Sequence, residues 1–177
     1  MVSVSEDASR GGARNTSLHI RPARPGDAAL VLDLIGELAV YEKLAHEVDA
    51  TEELIDAALF GPAPRVFCEI AELDGEPVGF ALWFYSFSTF RGRHGIYLED
   101  LFVRPEHRGR GVGKALMARL AARCVAENLP RFEWSVLDWN TPSIDVYKRL
   151  GAVLMDDWTR CRLSGEALAA LAGADRR

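Results

Sequence analysis

The sequence predicts an α/β protein in which a mixed, twisted sheet carries helices on both faces. Three observations predict it. Strand-like and helix-like stretches alternate in the order β-α-α-β-β-β-α-β-α-β, followed by a terminal helix. Asp74-Gly75 between two strand-like runs signals a tight hairpin, so the sheet cannot be wholly parallel. A glycine-rich turn, Arg108-Gly109-Arg110-Gly111-Val112-Gly113-Lys114, joins a strand-like to a helix-like stretch.

Leu18-His19-Ile20-Arg21 reads as a short first strand. Arg24-Pro25-Gly26-Asp27 opens a helix, with Pro25 suited to the first helical position and Asp27 to the first turn. Val31, Leu34, Ile35 and Leu38 repeat at helical spacing, and the helix fades near Tyr41-Glu42-Lys43-Leu44. A second helix runs from about Ala50 to Phe60, with Asp49-Ala50-Thr51-Glu52 resembling a capping box and Gly61-Pro62 stopping it. Arg65 to Leu73 and Glu76 to Phe87 form the hairpin strands, and Ile96 to Val103 a further strand. The helix after the glycine run, Ala115 to Glu127, carries an apolar stripe that Val112, Leu116, Leu120 and Cys124 mark. Arg131 to Asp138 alternates like a strand. Asn140-Thr141-Pro142 caps a short helix that Gly151 ends. Val153 to Leu163 reads as a last strand and Ser164 to Ala172 as the terminal helix.

The chain has 177 residues, enough for one compact domain, and no interior linker divides it after about Leu18. Met1 to Ser17 is polar, lacks the apolar core of a signal peptide, and reads as a disordered tail. The formal net charge of -5 argues against nucleic acid as a partner and is compatible with a cationic small substrate, although charge alone is accounted for by solubility. The longest apolar run, Val78 to Phe87, is too short to cross a bilayer. Cys68, Cys124 and Cys161 are odd in number and lack metal-ligand spacing, so a reducing, cytoplasmic setting is expected, each thiol packing as a small hydrophobe and no metal being bound. Trp83, Trp134, Trp139 and Trp158 read as core or cleft walls, and His94 as a loop residue.

The glycine run is built to hold a phosphate. Alternating glycines let the backbone turn and present bare amides, and a helix starting there adds its positive dipole end. A P-loop is excluded, because Gly109 to Gly113 is one residue short and Ala115 stands where a magnesium-binding hydroxyl belongs. A dinucleotide fingerprint is excluded by the Gly-x-Gly-x-Gly spacing and by the position past mid-chain.

The run resembles the Arg/Gln-x-x-Gly-x-Gly/Ala pyrophosphate loop of the GNAT superfamily of N-acetyltransferases. Leu101-Phe102-Val103-Arg104-Pro105-Glu106-His107 and the block from Asn140 to Ala152 are similar to the same family. Ile20-Arg21-Pro22-Ala23, Glu37 to Glu42, Tyr97 to Val103, Asp138 to Ile144 and Tyr147-Lys148-Arg149 resemble its diamine branch, which acetylates spermidine, spermine and thialysine. Arg91 to His94 and Met155 to Asp157 depart from that branch near where it contacts the amine. The resemblance implies a mostly antiparallel GNAT-like sheet, acetyl-CoA as cosubstrate, a small primary amine as acceptor, and a homodimer. A noncatalytic acyl-CoA sensor on the same fold, or a peptide or antibiotic amine acceptor, is the alternative.

The resemblance also assigns roles. Tyr147 is the candidate acid for the leaving sulfur, although Ile144, Tyr147 and Leu150 share a helical face that spacing alone reads as core. Glu99 is the candidate for gathering the ammonium and taking its proton. Glu99 and Asp100 cannot both point inward on a regular strand. Tyr41 and Glu42 are expected to contact substrate, with Glu47 and Asp49 adding negative potential. Leu101, Phe102 and Val103 are expected to lie along the acetyl group and pantetheine arm, with the main chain of Leu101 and Val103 doing the pairing. Arg108, Gly109, Arg110, Gly111, Val112 and Gly113 are expected to hold the pyrophosphate, and Asn140 the pantetheine arm or its own helix as a cap.

Overall fold

A computed structural model describes residues 17–174, so the expected tail lies outside the described residues except for Ser17. Ser17 is tied in: its N–H donates to Asp74 Oδ1 at 2.9 Å and its carbonyl accepts from the Asp74 N–H at 3.0 Å. Two compact units are formed, one up to Ser135 and one from Val136 onward.

The first unit is a five-stranded sheet in chain order. Its strands are β1 (Leu18–Pro22), β2 (Phe67–Leu73), β3 (Glu76–Ser88), β4 (Arg93–Val103) and β5 (Phe132–Trp134). The first four pair antiparallel, and β5 lies parallel to β4. Helices α1 (Ala28–Glu42) and α2 (Glu52–Phe60) cover one face, with Val31, Leu34, Leu38 and Leu59 packed on Ile70, Phe80, Leu82 and Phe102. Helix α3 (Val112–Ala126) covers the other, burying Val112, Leu116, Met117, Leu120 and Cys124.

Several boundaries move for local reasons. Pro25 does not open α1. Pro25 and Gly26 (φ +98°) form a turn closed by Asp27 N–H on Arg24 O at 2.9 Å, and Asp27 is the N-cap. The Asp27 carboxylate instead takes the Arg21 guanidinium at 2.6 Å, which holds its pKa below the ordinary value. The cap of α2 is Thr51, not the Asp49 of the capping-box pattern, and its hydroxyl accepts from Leu54 N–H, so the helix starts two residues later than expected. Helix α3 begins at Val112, three residues before the expected start, so Gly113 and Lys114 belong to its first turn.

Strand β5 is also shorter than the alternating pattern from Arg131 to Asp138. It pairs only with Ile96, Tyr97 and Leu98. There β4 loses its regular register. Leu98 stands opposite Trp83 and Asp100 opposite Leu82, so Glu99 is an extra residue, a β-bulge.

The second unit contains α4 (Thr141–Arg149) and α5 (Gly165–Ala174). The expected strand from Val153 to Leu163 does not form. Met155-Asp156-Asp157-Trp158 turns instead, with Trp158 N–H on Met155 O at 3.2 Å. Two adjacent carboxylates break the alternation there, and a strand without a ladder partner is not stable. Trp158 is exposed rather than core, as are Trp139 and Cys161, while Trp83, Cys68 and Cys124 are buried as expected.

Candidate active site

The glycine run closes a tight path from β4 to α3. Pro105 to His107 make one 3-10 turn, and Arg108 N–H donates to Pro105 O. Gly109 (φ +75°) and Gly111 (φ +84°) then take left-handed conformations, Gly111 as N-cap of α3. Among the described residues, the amides from Gly109 to Lys114 have no protein acceptor. A side chain at 109 or 111 would meet no atom within 4 Å, so the concave side is open. Clustered free amides at a helix start fit a diphosphate. The approach to the loop is braced by Arg104, whose guanidinium forks onto Glu37 of α1 at 2.8 and 3.1 Å and onto Pro77 O at 2.9 Å.

Strand β4 supplies a main-chain edge beside this loop. β5 stops opposite Leu98, while β4 continues to Val103. Arg104 N–H donates to Val78 O, so in an antiparallel ladder Phe102 also points its main-chain groups toward β3. Leu101 and Val103 therefore point theirs away from β3, as a pantetheine arm pairing like a strand requires. Phe102 is buried in the core instead. Arg108 turns back along this edge. Its Nε–H donates to Val103 O at 2.9 Å, and its guanidinium lies 4.3 Å from the centre of the Tyr41 ring. Its side chain thus braces Tyr41 rather than extending over the start of α3.

Around Tyr41 the fold gathers acidic groups. Glu42 ends α1, half-buried, and burial raises its pKa. Glu99 is exposed on the bulge. Asp100 turns inward, to the α1 face, and its carboxyl is pushed up to about 6, first by burial and then by the negative charges of Glu99 and Glu42. Glu47 and Asp49 are exposed. His94 is exposed and its ring shares a hydrogen bond with Ser86 O, but it lies in β4 opposite Phe87 rather than in a loop.

A carboxyl whose pKa rises on folding stabilises the fold while it is protonated. Its contribution is present below about pH 3.8 and is lost as pH rises through about 6. We expect Asp100→Asn to gain in Tm over the parent protein between about pH 4 and about pH 7. A Tm difference that does not change with pH would show that Asp100 is well solvated.

In the second unit, Asn140 is buried and caps α4, its Oδ1 accepting from Ser143 N–H at 3.4 Å. Tyr147 lies in the last turn of α4, half-buried, and no residue of that helix is fully buried. The core reading of the Ile144, Tyr147 and Leu150 face therefore does not hold as written, since Leu150 is exposed.

The structure brings Tyr41, Glu42, Glu99 and Arg108 together in the first unit. It adds one group that the sequence reading passed over, Asp100. The signal was present in Glu99-Asp100 itself. The period-two argument allows only one of the pair inside, and the bulge at Glu99 makes Asp100 that one.

Comparison with known proteins agrees with this geometry. Residues 31–152 match the Acetyltransferase (GNAT) family. The chain is 41% identical over 165 residues to a thialysine N-epsilon-acetyltransferase of Bos taurus, covering 87% of this chain and 96% of that protein. It is 30% identical to an L-ornithine N5-acetyltransferase of Arabidopsis thaliana, covering 86% of each. A solved integron cassette protein of V. cholerae superposes with a TM-score of 0.74 at 26% identity, covering 88% of this chain and 98% of that one. With the amide cradle, the open strand edge and these relatives in view, the chain belongs to the GNAT family and is an acetyl-CoA-dependent N-acetyltransferase.

Proposed function

We propose that the acceptor is the terminal ammonium of an aminoalkyl amino acid or a small polyamine. The observation that carries this reading is the cluster of Glu42, Glu99 and Asp100 around Tyr41, which sets negative potential beside the open edge of β4. The thialysine and ornithine relatives support it, since both substrates end in a primary amine on a short chain.

The amine arrives protonated, with an unperturbed pKa of about 10.4 if it is lysine-like. Glu99, exposed and able to act through water, receives its proton. The freed nitrogen attacks the thioester carbonyl, a C–N bond forms, and the C–S bond breaks. Tyr147 donates its phenolic proton to the departing sulfur, and the second proton that the nitrogen sheds on becoming an amide returns through solvent to the phenolate. Leu101 and Val103 pair with the pantetheine arm through main chain, and Asn140 adds a side-chain hydrogen bond to that arm. The amides of Gly109, Arg110, Gly111, Val112 and Gly113 take the pyrophosphate, while Arg108 steadies Tyr41 and the strand end. No step calls for a metal.

Screening thialysine, ornithine, lysine, putrescine, spermidine and spermine for acetyl-CoA-dependent thiol release tests the assignment. Turnover with one of these amines is the expected result, and turnover confined to peptides or aminoglycosides would overturn it. For Glu99→Gln we expect kcat/KM for the amine to fall at least about 10-fold with the KM for acetyl-CoA kept. An unchanged amine profile would remove Glu99 from its role.

We also assign the chain to the cytoplasm as a homodimer, with neither nucleic acid nor membrane as partner and residues 18–177 acting as one acetyltransferase domain. Among the described residues no helix is long and apolar enough to cross a membrane. Sedimentation equilibrium checks the dimer.

A further inference from the structure

The α1 side of the sheet changes sign along its length. Asp100 stands opposite Leu82 on that side, with Glu42 and Glu99 near enough to raise its pKa. The next ladder row on that side is Phe84 and Tyr97, and the row beyond is Ser86 and Gly95. Strand β5 adds Glu133 beside Tyr97, and Arg131 just before it accepts from the Ile96 N–H through its carbonyl. A Cβ at Gly95 would meet Arg131 Cγ at 2.7 Å, so its absence lets the arginine cross β4 on this side. Arg131 Nη2 then donates to Phe87 O on β3 at 3.1 Å. Arg93, opposite Ser88, is exposed one row further on. One end of the strip is therefore acidic, its middle aromatic and its far end basic.

The far end also holds an ion pair that solvent reaches. Arg131 Nε lies 2.8 Å from Glu133 Oε2, at an angle too bent for a hydrogen bond. The two side chains keep 34% and 41% of their surface exposed. Among the described residues, Arg131 Nη1 has no hydrogen-bond partner. An exposed pair of this kind adds little to stability. It does set a donor fork beside a carboxylate, the complement of a zwitterion.

Length and charge select the molecule. From the row of Asp100 to the row of Arg131 is four residues of β3, about 13 Å. An extended chain of lysine length, with one hydrogen bond at each end, spans about the same distance. Phe84 and Tyr97, half-buried with ring centres 5.2 Å apart, lie between the two ends as a floor for methylenes. The Tyr97 hydroxyl is tied to Ser135 Oγ at 2.7 Å, which fixes that ring. A polyamine of this length would set its second ammonium against Arg131 and Arg93.

We propose that Arg131 and Glu133 form the head-group subsite of the acceptor pocket, Arg131 taking the α-carboxylate and Glu133 the α-ammonium of an amino acid whose side-chain ammonium sits at Glu99 and Asp100. This subsite rests on the acceptor reading given above and narrows it from polyamines to amino acids.

The test compares acceptors that differ only in the carboxylate: lysine with cadaverine, ornithine with putrescine, and thialysine with bis(2-aminoethyl) sulfide, each followed by acetyl-CoA-dependent thiol release. Within each pair that turns over, kcat/KM is expected to be at least about 10-fold higher for the amino acid. In Arg131→Gln that ratio is expected to fall to within about twofold of unity with the Tm kept, as for an exposed ion pair. 6-Aminohexanoate, which is lysine without its α-ammonium, is expected to fall between lysine and cadaverine, and Glu133→Gln to erase the advantage of lysine over it. Equal use within the pairs, a preferred diamine, or a ratio that Arg131→Gln leaves unchanged would overturn the subsite and leave the acceptor reading standing. Turnover of no member of any pair would overturn both.

Discussion

Replacing Tyr147 with Phe is expected to lower kcat about 10²- to 10⁴-fold at saturating amine, the usual contribution of a positioned proton donor. The affinity for acetyl-CoA should stay within about twofold, because the ring remains and only the hydroxyl goes. Tyr147 sits half-buried in the last turn of α4, a helix with no fully buried residue, so losing one oxygen opens no cavity in a packed core. The two readings of this residue thus separate cleanly. A packing role predicts a lower Tm and a normal rate. A proton donor predicts a normal Tm, a collapsed rate and a changed alkaline limb of the pH profile. Full activity in the variant would remove Tyr147 from the chemistry.

The second large effect is expected at Gly111. It holds φ +84° as the N-cap of α3, a conformation that costs a β-branched residue about 1–3 kcal/mol. Nothing within 4 Å of a side chain there would hold the loop in place against that strain. In Gly111→Val the loop should relax out of its cradle, weakening CoA binding by roughly 5- to 150-fold with little loss of global stability. Gly111→Asn should fall between the two, since Asn tolerates the left-handed region better. Gly113 provides the contrast. Its φ is not positive, and an added methyl would meet only Val103 Cγ2 at 3.8 Å, so Gly113→Ala should fold normally. Isothermal titration with CoA ranks the series. Equal affinity in Gly111→Val would show that the amides there do not grip the diphosphate.

The legible parts of this protein are those written in local chemistry. The hairpin at Asp74-Gly75 and the turn from Gly109 to Gly113 depend on a few adjacent residues, and each stands where the pattern places it. What escaped depends on residues distant in sequence. Pro25 reads as a helix opener until Arg21 draws Asp27 out of the first turn. Val153 to Leu163 alternates well enough for a strand, yet pattern cannot say whether a partner strand exists. Arg108 carries a phosphate-binding signature, but only the fold brings Tyr41 beneath its guanidinium. Asp100 was hidden by the same limit, since its orientation is decided by a pairing irregularity that leaves no mark in composition.

That irregularity reaches further than one side chain. Opposite Leu82, Asp100 shares the α1 side of the sheet with Phe102; opposite Trp83, Leu98 shares the α3 side with Ile96. Strict alternation would have put all four together, with the Asp100 carboxylate on the side where α3 buries Val112, Leu116, Met117, Leu120 and Cys124. Position 99 acts as a half-turn inserted in a ribbon. Taking that residue out would leave Leu98 opposite Trp83 and Asp100 opposite Leu82, a plain ladder in which every later side chain keeps its side; what the extra residue adds is a carboxylate turned out to solvent.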